Sequence, residues 1–376
     1  MIPSSEFRER QERALAAAHA AGLEGLVAVG RSFYDRPGAL AWLSNHFPPF
    51  PNTVFQPGVA GLGHGFLVLS DRGATLLVDG PNYRGDLVAA DEVVVWSNLG
   101  AGLREVLGRF DRATFGLTDT DLMPLPVWQA VQALPIEWQS FDDQLWQMRR
   151  VKSPAEQAAL RRATKAADAG LRAALERVRP GASETEICAA GTAAALEAGA
   201  DFVRYLRVHS GPWSGWPSRW PQATPRLLEA GDVVMLDIIG ALEGYGFDVL
   251  RTTVAGTSNA AQREVLAAIA AATEAAIARA TPSTPVRALV EAAHEVLAGR
   301  GFDEPGPFVG HGIGLETVEP PLLRADQSAE LLAGEVLCIE PGLWRQSWGG
   351  ASLEQEVIVG ATPEIITPTL VPLVRE

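Results

Sequence analysis

Apolar residues recur at helical spacing between Arg8 and Ala21, which predicts a helix, and then run together in GLVAVG at 25–30, which predicts a strand. GFLVLS and ATLLVDG repeat the strand pattern on either side of Asp71-Arg72-Gly73, a polar turn, so the pair reads as strand, turn and strand. VVVW at 93–96 is a further short strand, Leu103–Phe110 has helical spacing, and ATFGL starts the next strand. This alternation predicts a small α/β unit over residues 1–145.

Beyond residue 145 the pattern changes. In MRRVKSPAEQAALRRATKAADAGLRAALERVRPG, Ser153 stands as an N-cap, Pro154 occupies the first helical position, and Glu156 is the reciprocal cap partner. Ala, Leu and Arg then sustain a long helix until Pro180-Gly181. Ser183 and Glu186 repeat the capping arrangement before a second Ala-rich helix, which Gly199 can end. FVRYLRV, VVMLDII and YGFDVLRTTV follow as strands, then two helices around 259–280 and 285–299, then strand-like EVLCIEPGLW and LEQEVIVG. Helices packed against one face of a curved, largely antiparallel sheet fit this order for residues 146–376. A parallel dinucleotide-binding sheet fits poorly: no GxGxxG follows an early strand, and GHGIG at 310–314 lacks that spacing.

Composition narrows the function classes. A chain of 376 residues can form two cores, and an apolar fraction of 47% excludes a mainly disordered or fibrous protein. Net charge is −14 without a Lys/Arg-rich tract, which disfavours nucleic-acid binding through phosphates. No charge-free apolar run reaches bilayer length, and the first 25 residues mix acidic and basic groups, so no membrane span or secretory signal is expected and the cytoplasm is the expected location. Cys188 and Cys338 are expected as buried free thiols, too few for a Cys-rich metal site.

The chemistry-bearing residues are carboxylates. Asp237 and Asp248 flank Glu243-Gly244, which can turn a hairpin and bring both onto adjacent antiparallel strands. In isolation they read equally well as turn and edge-strand residues. Downstream, His311 sits between glycines in FVGHGIGL, Glu340 follows an apolar run before Pro341-Gly342, and Glu354 lies in GGASLEQEVIV. A glutamate in an apolar strand carries a large desolvation cost unless it is paired or metal-bound, and Glu340 fits that case most clearly. Glu356 shares the face alternation of Glu354 and competes with it. Together these are oxygen and nitrogen donors suited to Mn, Co, Zn or Fe, and four carboxylates are charge-balanced by two divalent ions. Two such ions about 3.5–4 Å apart can orient and deprotonate a bridging water.

In this ordered combination, LD…GYGFDVLRT, GHGIGLE, IEPG and LEQEVIV, the chain resembles the pita-bread metallopeptidases, which include methionine aminopeptidase, aminopeptidase P, proline dipeptidase and creatinase. The resemblance implies an α+β fold: a pita-bread catalytic domain at 146–376 preceded by a smaller creatinase-like α/β domain at 1–145. It implies that Asp237 binds one ion, Asp248 and Glu354 bridge two, and His311 and Glu340 ligate the other, with Glu340 also the catalytic group that moves a proton from the water. Manganese is the first expectation for the metal. Arg251 reads as a brace for the carboxylates, or as an exposed strand arginine. Relatives with this layout often dimerise, which implies a homodimer, with the loop of Trp42-Leu43-Ser44-Asn45-His46 helping to close a partner's site.

Two positions depart from the peptidase pattern. Relatives carry a histidine just before the Glu-x-Pro that here is Glu319 and Pro321, and another eight residues after the serine of an SG pair; these positions are Val318 and Ser218. Valine can neither donate to a tetrahedral oxygen nor exchange a proton. Trp213, Trp216 and Trp220 crowd one Pro/Gly-containing loop, while Trp344 and Trp348 follow Glu340, so five of ten tryptophans lie beside the expected site. Core filling explains some of them; a ligand-facing wall explains their concentration, and indole faces can bind cations. Trp213, Trp216, His209 and Glu319 are the expected substrate contacts, although His209 also reads as a structural histidine. His46 and His64 are loop candidates for substrate contact, whereas His19 and His294 read as helix or loop residues. The resulting expectation is hydrolysis of a small peptide such as an Xaa-Pro dipeptide. The alternatives are a creatinase-like hydrolase or lyase acting on a small non-peptide, cationic metabolite, and a non-catalytic binding protein that keeps the fold.

Overall fold

The computed structural model describes residues 2–216, 218–302, 306 and 308–367, which fall into two compact units divided between Arg149 and Arg150. The first contains helices α1 (Ser4–Ala20), α2 (Gly38–Ser44), α3 (Leu99–Leu107), α4 (Leu125–Val131) and α5 (Asp142–Arg150). Its strands are β1 (Gly25–Arg31), β2 (His64–Ser70), β3 (Gly73–Val78), β4 (Glu92–Val95), β5 (Ala113–Thr118) and β6 (Ile136–Ser140). They form one mixed sheet in the order β4-β3-β2-β1-β5-β6. Alternate residues Val27, Val29, Phe66 and Val68 share a core with Leu103 and Leu107 of α3, as period-two strand patterning requires.

Two local expectations change here. The helix read as Leu103–Phe110 starts four residues earlier, because the Asn98 side chain accepts from the Ala101 amide and caps it. Trp42, Leu43 and Ser44 lie in α2 rather than in a loop, and with His46 they are buried, so these side chains do not form an exposed surface. Burial also holds the His46 imidazole neutral, with its pKa lowered to about 4. His64 opens β2, half-buried, with Nδ1 against the Leu62 carbonyl at 2.9 Å.

The second unit begins with α6 (Pro154–Arg177) and α7 (Glu184–Glu197), and both capping boxes form. Ser153 and Glu156 exchange bonds of 3.1 and 2.9 Å, Ser183 and Glu186 bonds of 3.1 and 2.8 Å. Both helices cover an antiparallel sheet of β7 (Phe202–Ser210), β8 (Val233–Leu242) and β9 (Tyr245–Val254). Small residues allow this close approach. A Cβ on Gly170 would meet Ile238 Cδ1 at 2.6 Å and the Gly191 carbonyl at 2.9 Å. Gly170→Val is therefore expected to lower stability by about 1–3 kcal/mol through overpacking, read as a fall in the thermal midpoint.

Helices α8 (Ala260–Ile277) and α9 (Val286–Gly299) pack on a second ladder. It comprises β10 (Phe308–Gly312), β11 (Glu319–Arg324), β12 (Val336–Ile339), β15 (Gln355–Ile358) and β16 (Glu364–Ile365), with a separate hairpin of β13 (Gly342–Gln346) and β14 (Gly349–Ser352). In place of the single sheet expected, three hydrogen-bonded ladders form. Pro341, which has no amide hydrogen, separates β12 from β13, and bulges interrupt the β10–β11 pairing. The ladders are tied at one line: the Glu354 amide donates to the Leu250 carbonyl at 3.1 Å, and the Asp248 amide to Glu356 Oε1 at 3.0 Å.

Candidate metal centre

The site forms along that line. In the β8–β9 register Asp237 faces Leu250 and Asp248 faces Ile239, so the two carboxylates are diagonal neighbours on one face of the sheet. Glu354 arrives from the chain just before β15, and side-chain oxygens of Asp237, Asp248 and Glu354 lie within 4.8 Å of one another. From the other ladder, His311 Nε2 stands 3.7 Å from Asp248 Oδ2 and 3.6 Å from Glu340 Oε1. All five residues predicted as ligands thus meet within the second unit.

His311 is placed by its neighbours. Gly310 has φ +139, and a Cβ there would lie 1.9 Å from the Cys338 carbonyl, so only glycine lets β10 press against β12 at this point. The ring's Nδ1 lies 2.9 Å from the Gly312 carbonyl, which fixes the proton on Nδ1 and leaves the Nε2 lone pair facing the carboxylates. Burial lowers the imidazole pKa to about 4, so the ring is neutral and can ligate.

The carboxylates are electrostatically overcrowded. Burial, then the charges of Asp237 and Glu340, drives the Asp248 carboxyl well above its ordinary value. Burial, then Asp248, Glu340 and Asp237, does the same to Glu354. Glu340 is pushed up to about 8 by burial and the charge of Asp237, and Glu356 to about 8 by burial. Asp237 is raised by burial, with Arg207 opposing. Asp237 Oδ1, Glu354 Oε1 and Glu356 Oε2 are buried without a hydrogen-bond partner. Buried oxygens crowded in this way, with one neutral imidazole nitrogen among them, are a donor set that divalent cations complete. The most open member is Glu340, whose side chain is 19% exposed against 3% for His311, so it is the one placed to exchange a proton with solvent.

Other expected site residues fall into distinct settings. Glu356, the competitor of Glu354, is wholly buried and bonded to the Asp248 amide. Arg251 is buried, bonding the Leu250 carbonyl at 2.9 Å, the Glu354 carbonyl, and Gln355 Oε1 at 3.2 Å, which places its guanidinium beside the Glu354 segment. Glu319 has both oxygens engaged inside the protein, with Lys152 Nζ at 3.0 Å and the Glu316 amide at 3.2 Å. His209 is buried, with Nδ1 2.9 Å from the Trp216 carbonyl. Trp213 and Trp216 are half exposed, Trp220 lies almost wholly in solvent, and Trp348 packs against the core beneath α8. Val318 is exposed. Ser218 is exposed too.

Sequence reasoning missed two neighbours. Cys338 lies opposite His311, and its Sγ is within 4.8 Å of His311 and Glu354 ligand atoms. Burial, and then the carboxylates, raises that thiol well above its usual value, so it remains protonated and a poor ligand. Arg207 lies directly opposite Asp237, with Nη1 2.7 Å from Asp237 Oδ2. Strand alternation puts Tyr205, Arg207 and His209 on one face of β7, but only the β7–β8 register sets Arg207 opposite Asp237.

A family model described as "Metallopeptidase family M24" matches residues 158–361. The chain is 26% identical over 317 residues to the Xaa-Pro dipeptidase of Pyrococcus horikoshii, covering 82% of this chain and 88% of that protein. It superposes on a crystal structure of the prolidase from Pyrococcus horikoshii with a TM-score of 0.83 at 22% identity, covering 97% of this chain and all of the other. An X-Pro aminopeptidase from Thermotoga maritima gives 0.81 at 22% identity, over 97% and 98% of the two chains. At these identities the structural likeness speaks to the fold.

Proposed function

We propose that this chain, which belongs to metallopeptidase family M24, cleaves the Xaa-Pro bond of small peptides. It is a metal-dependent hydrolase. The observation that carries the hydrolase reading is the convergence of Asp237, Asp248 and Glu354 within 4.8 Å, with His311 Nε2 turned towards Asp248 and Glu340; the likeness to the Xaa-Pro dipeptidase of Pyrococcus horikoshii supports a peptide as the substrate. Asp237, Asp248, His311, Glu340 and Glu354 would hold divalent ions, which when bound would supply Lewis-acid polarisation of a carbonyl and lower the pKa of a water. Glu340 then takes and returns a proton at its carboxylate, since it is the ligand open to solvent. His311 stays neutral, held through Nδ1 by the Gly312 carbonyl. Trp216, and the part of Trp213 left open by the Arg219 guanidinium 4.9 Å from its ring centre, offer indole surface to the substrate's side chains, and the Trp216 carbonyl fixes His209. Manganese as the working ion and a homodimer belong to the same reading and rest on the family resemblance, and a cytoplasmic location is proposed with them.

A second reading, a small non-peptide amide or amidine, is favoured by Val318 and Ser218, which leave two positions without a histidine to donate to a developing oxyanion. A panel of Xaa-Pro dipeptides and non-peptide amides, assayed with Mn- and Co-loaded enzyme, separates the two. Turnover confined to the non-peptide compounds would reverse the first choice. On the peptide reading, Val318→His is expected to raise kcat on an Xaa-Pro dipeptide by at least about 10-fold, a fraction of the roughly 10²-fold or more that a fully positioned proton carrier contributes.

A further inference from the structure

Lys152 and Glu319 form an ion pair across 167 residues of chain, with Nζ 3.0 Å from Oε2 and each side chain only 2% exposed. The lysine stands on fixed backbone. Its amide donates to the Gly334 carbonyl at 3.0 Å, Val151 bridges Glu335, and Ser153 caps α6. Glu319 opens β11 and fills the inside of the loop 313–318 that joins β10 to β11. Its Oε1 accepts from the Glu316 amide at 3.2 Å, and a Cβ on Gly314 would meet its two oxygens at 2.7 and 2.8 Å. The loop leads directly from His311. Gly312 pairs with Glu319, and the Gly312 carbonyl lies 2.9 Å from His311 Nδ1. One carboxylate and one short loop therefore connect the ammonium to the imidazole. Replacing a buried ion pair by apolar side chains of similar volume is often neutral for stability, whereas removing one partner strands a charge. The pair's contribution is then one of geometry.

Resting on the reading of His311 as a metal ligand, we propose that Lys152 is a positioning residue for that histidine. Its ammonium seats Glu319 inside the loop, and the seated loop presents the Gly312 carbonyl that aims Nε2 at Asp248 and Glu340. Without the ammonium the Glu319 carboxylate is buried without its counter-ion and is driven out towards water, which loosens the loop and the hold on Nδ1. A second buried pair supplies the contrast. Arg150 and Glu335 bond each other, the Glu330 carbonyl and the Leu332 amide, so they fix residues 330–335 of the same unit and not the loop beside His311.

Metal-free protein titrated with Co(II) reports the seat of His311 through the visible absorption of the bound ion and its Kd, without an assay of turnover. The variants are Lys152→Met and the double Lys152→Met/Glu319→Leu, which strands no charge and keeps the bulk. In both, the Co(II) bands are expected to change and the Kd to rise at least about tenfold, the lower range for losing a group that orients a metal ligand. Lys152→Arg is expected to bring both readings back towards wild type. Arg150→Met/Glu335→Leu is expected to leave the bands and the Kd as in wild type, whatever it does to the thermal midpoint. Wild-type bands and Kd in the folded double variant would overturn the inference. An equal change in the Arg150 variant, or loss of folding in both Lys152→Met proteins by circular dichroism, would also overturn it by making the pair a structural clamp. Wild type that binds no Co(II) would sink the parent reading together with this one, whereas Co(II) bound indifferently to Lys152 would sink this one alone.

Discussion

Asp248→Asn is expected to cost the protein at least one bound divalent ion and to lower kcat/KM by on the order of 10³-fold, the scale of losing one strong electrostatic group at a reacting centre. Asp248 is the residue where both halves of the site meet. It neighbours Asp237 and Glu354 within 4.8 Å and His311 Nε2 at 3.7 Å. The same substitution should stabilise the metal-free protein. It removes a carboxyl whose ionisation burial, Asp237 and Glu340 oppose in the folded protein but which ionises freely in the unfolded chain. A metal-free Asp248→Asn protein that melts above metal-free wild type at pH 8, yet holds less metal by elemental analysis, would match both halves. Full metal retention would rule out the shared-ligand role.

The second large effect is on stability and its pH dependence. Glu340 and Glu356 each have a folded pKa raised to about 8 from an ordinary 4.5. A carboxyl raised in this way contributes stability that is fully present below its unfolded value and lost as pH rises through the folded one. Metal-free protein is therefore expected to lose thermal stability between about pH 4.5 and pH 8 through these groups. Divalent ions cancel the crowding, so their stabilising effect should grow over the same window. An ion at about 100 times its Kd contributes about 2.7 kcal/mol, and at about 2–4 °C per kcal/mol for a domain of this size the midpoint should rise by about 5–10 °C at pH 8. A shift that is equal at pH 5.5 and pH 8, or larger at pH 5.5, would contradict the electrostatic account. Thermal scans with and without Mn(II) at both pH values provide the comparison.

The elements were legible where local chemistry dictates them. Ser153-Pro154-x-Glu156 and Ser183-x-x-Glu186 specify helix starts through bonds between residues three apart, and both boxes form. Glu243-Gly244 turns the β8–β9 hairpin, with Glu243 at φ 54 and Gly244 at φ 78, so the neighbouring strands of Asp237 and Asp248 could be read in advance. What no local pattern carries is register across more distant pairs. Arg207 faces Asp237 only because β7 shifts its pairing between Val203 and Tyr205, and that irregularity has no spacing signal in FVRYLRV. The separation of the β13–β14 hairpin from the five-stranded ladder likewise follows the break at Pro341-Gly342, which no strand periodicity announces. Tryptophan counting was the weakest guide. Trp213 and Trp216 are half exposed, whereas Trp348 is partly buried against the core, because a large indole serves burial as readily as recognition.

Anomalous diffraction from crystals of the protein grown with Mn(II), measured either side of the metal's absorption edge, tests the central claim most directly. The account predicts anomalous peaks within coordination distance of Asp237, Asp248, His311 Nε2, Glu340 and Glu354. Density without an anomalous peak between these five side chains, at ion concentrations that saturate the protein in solution, would contradict it.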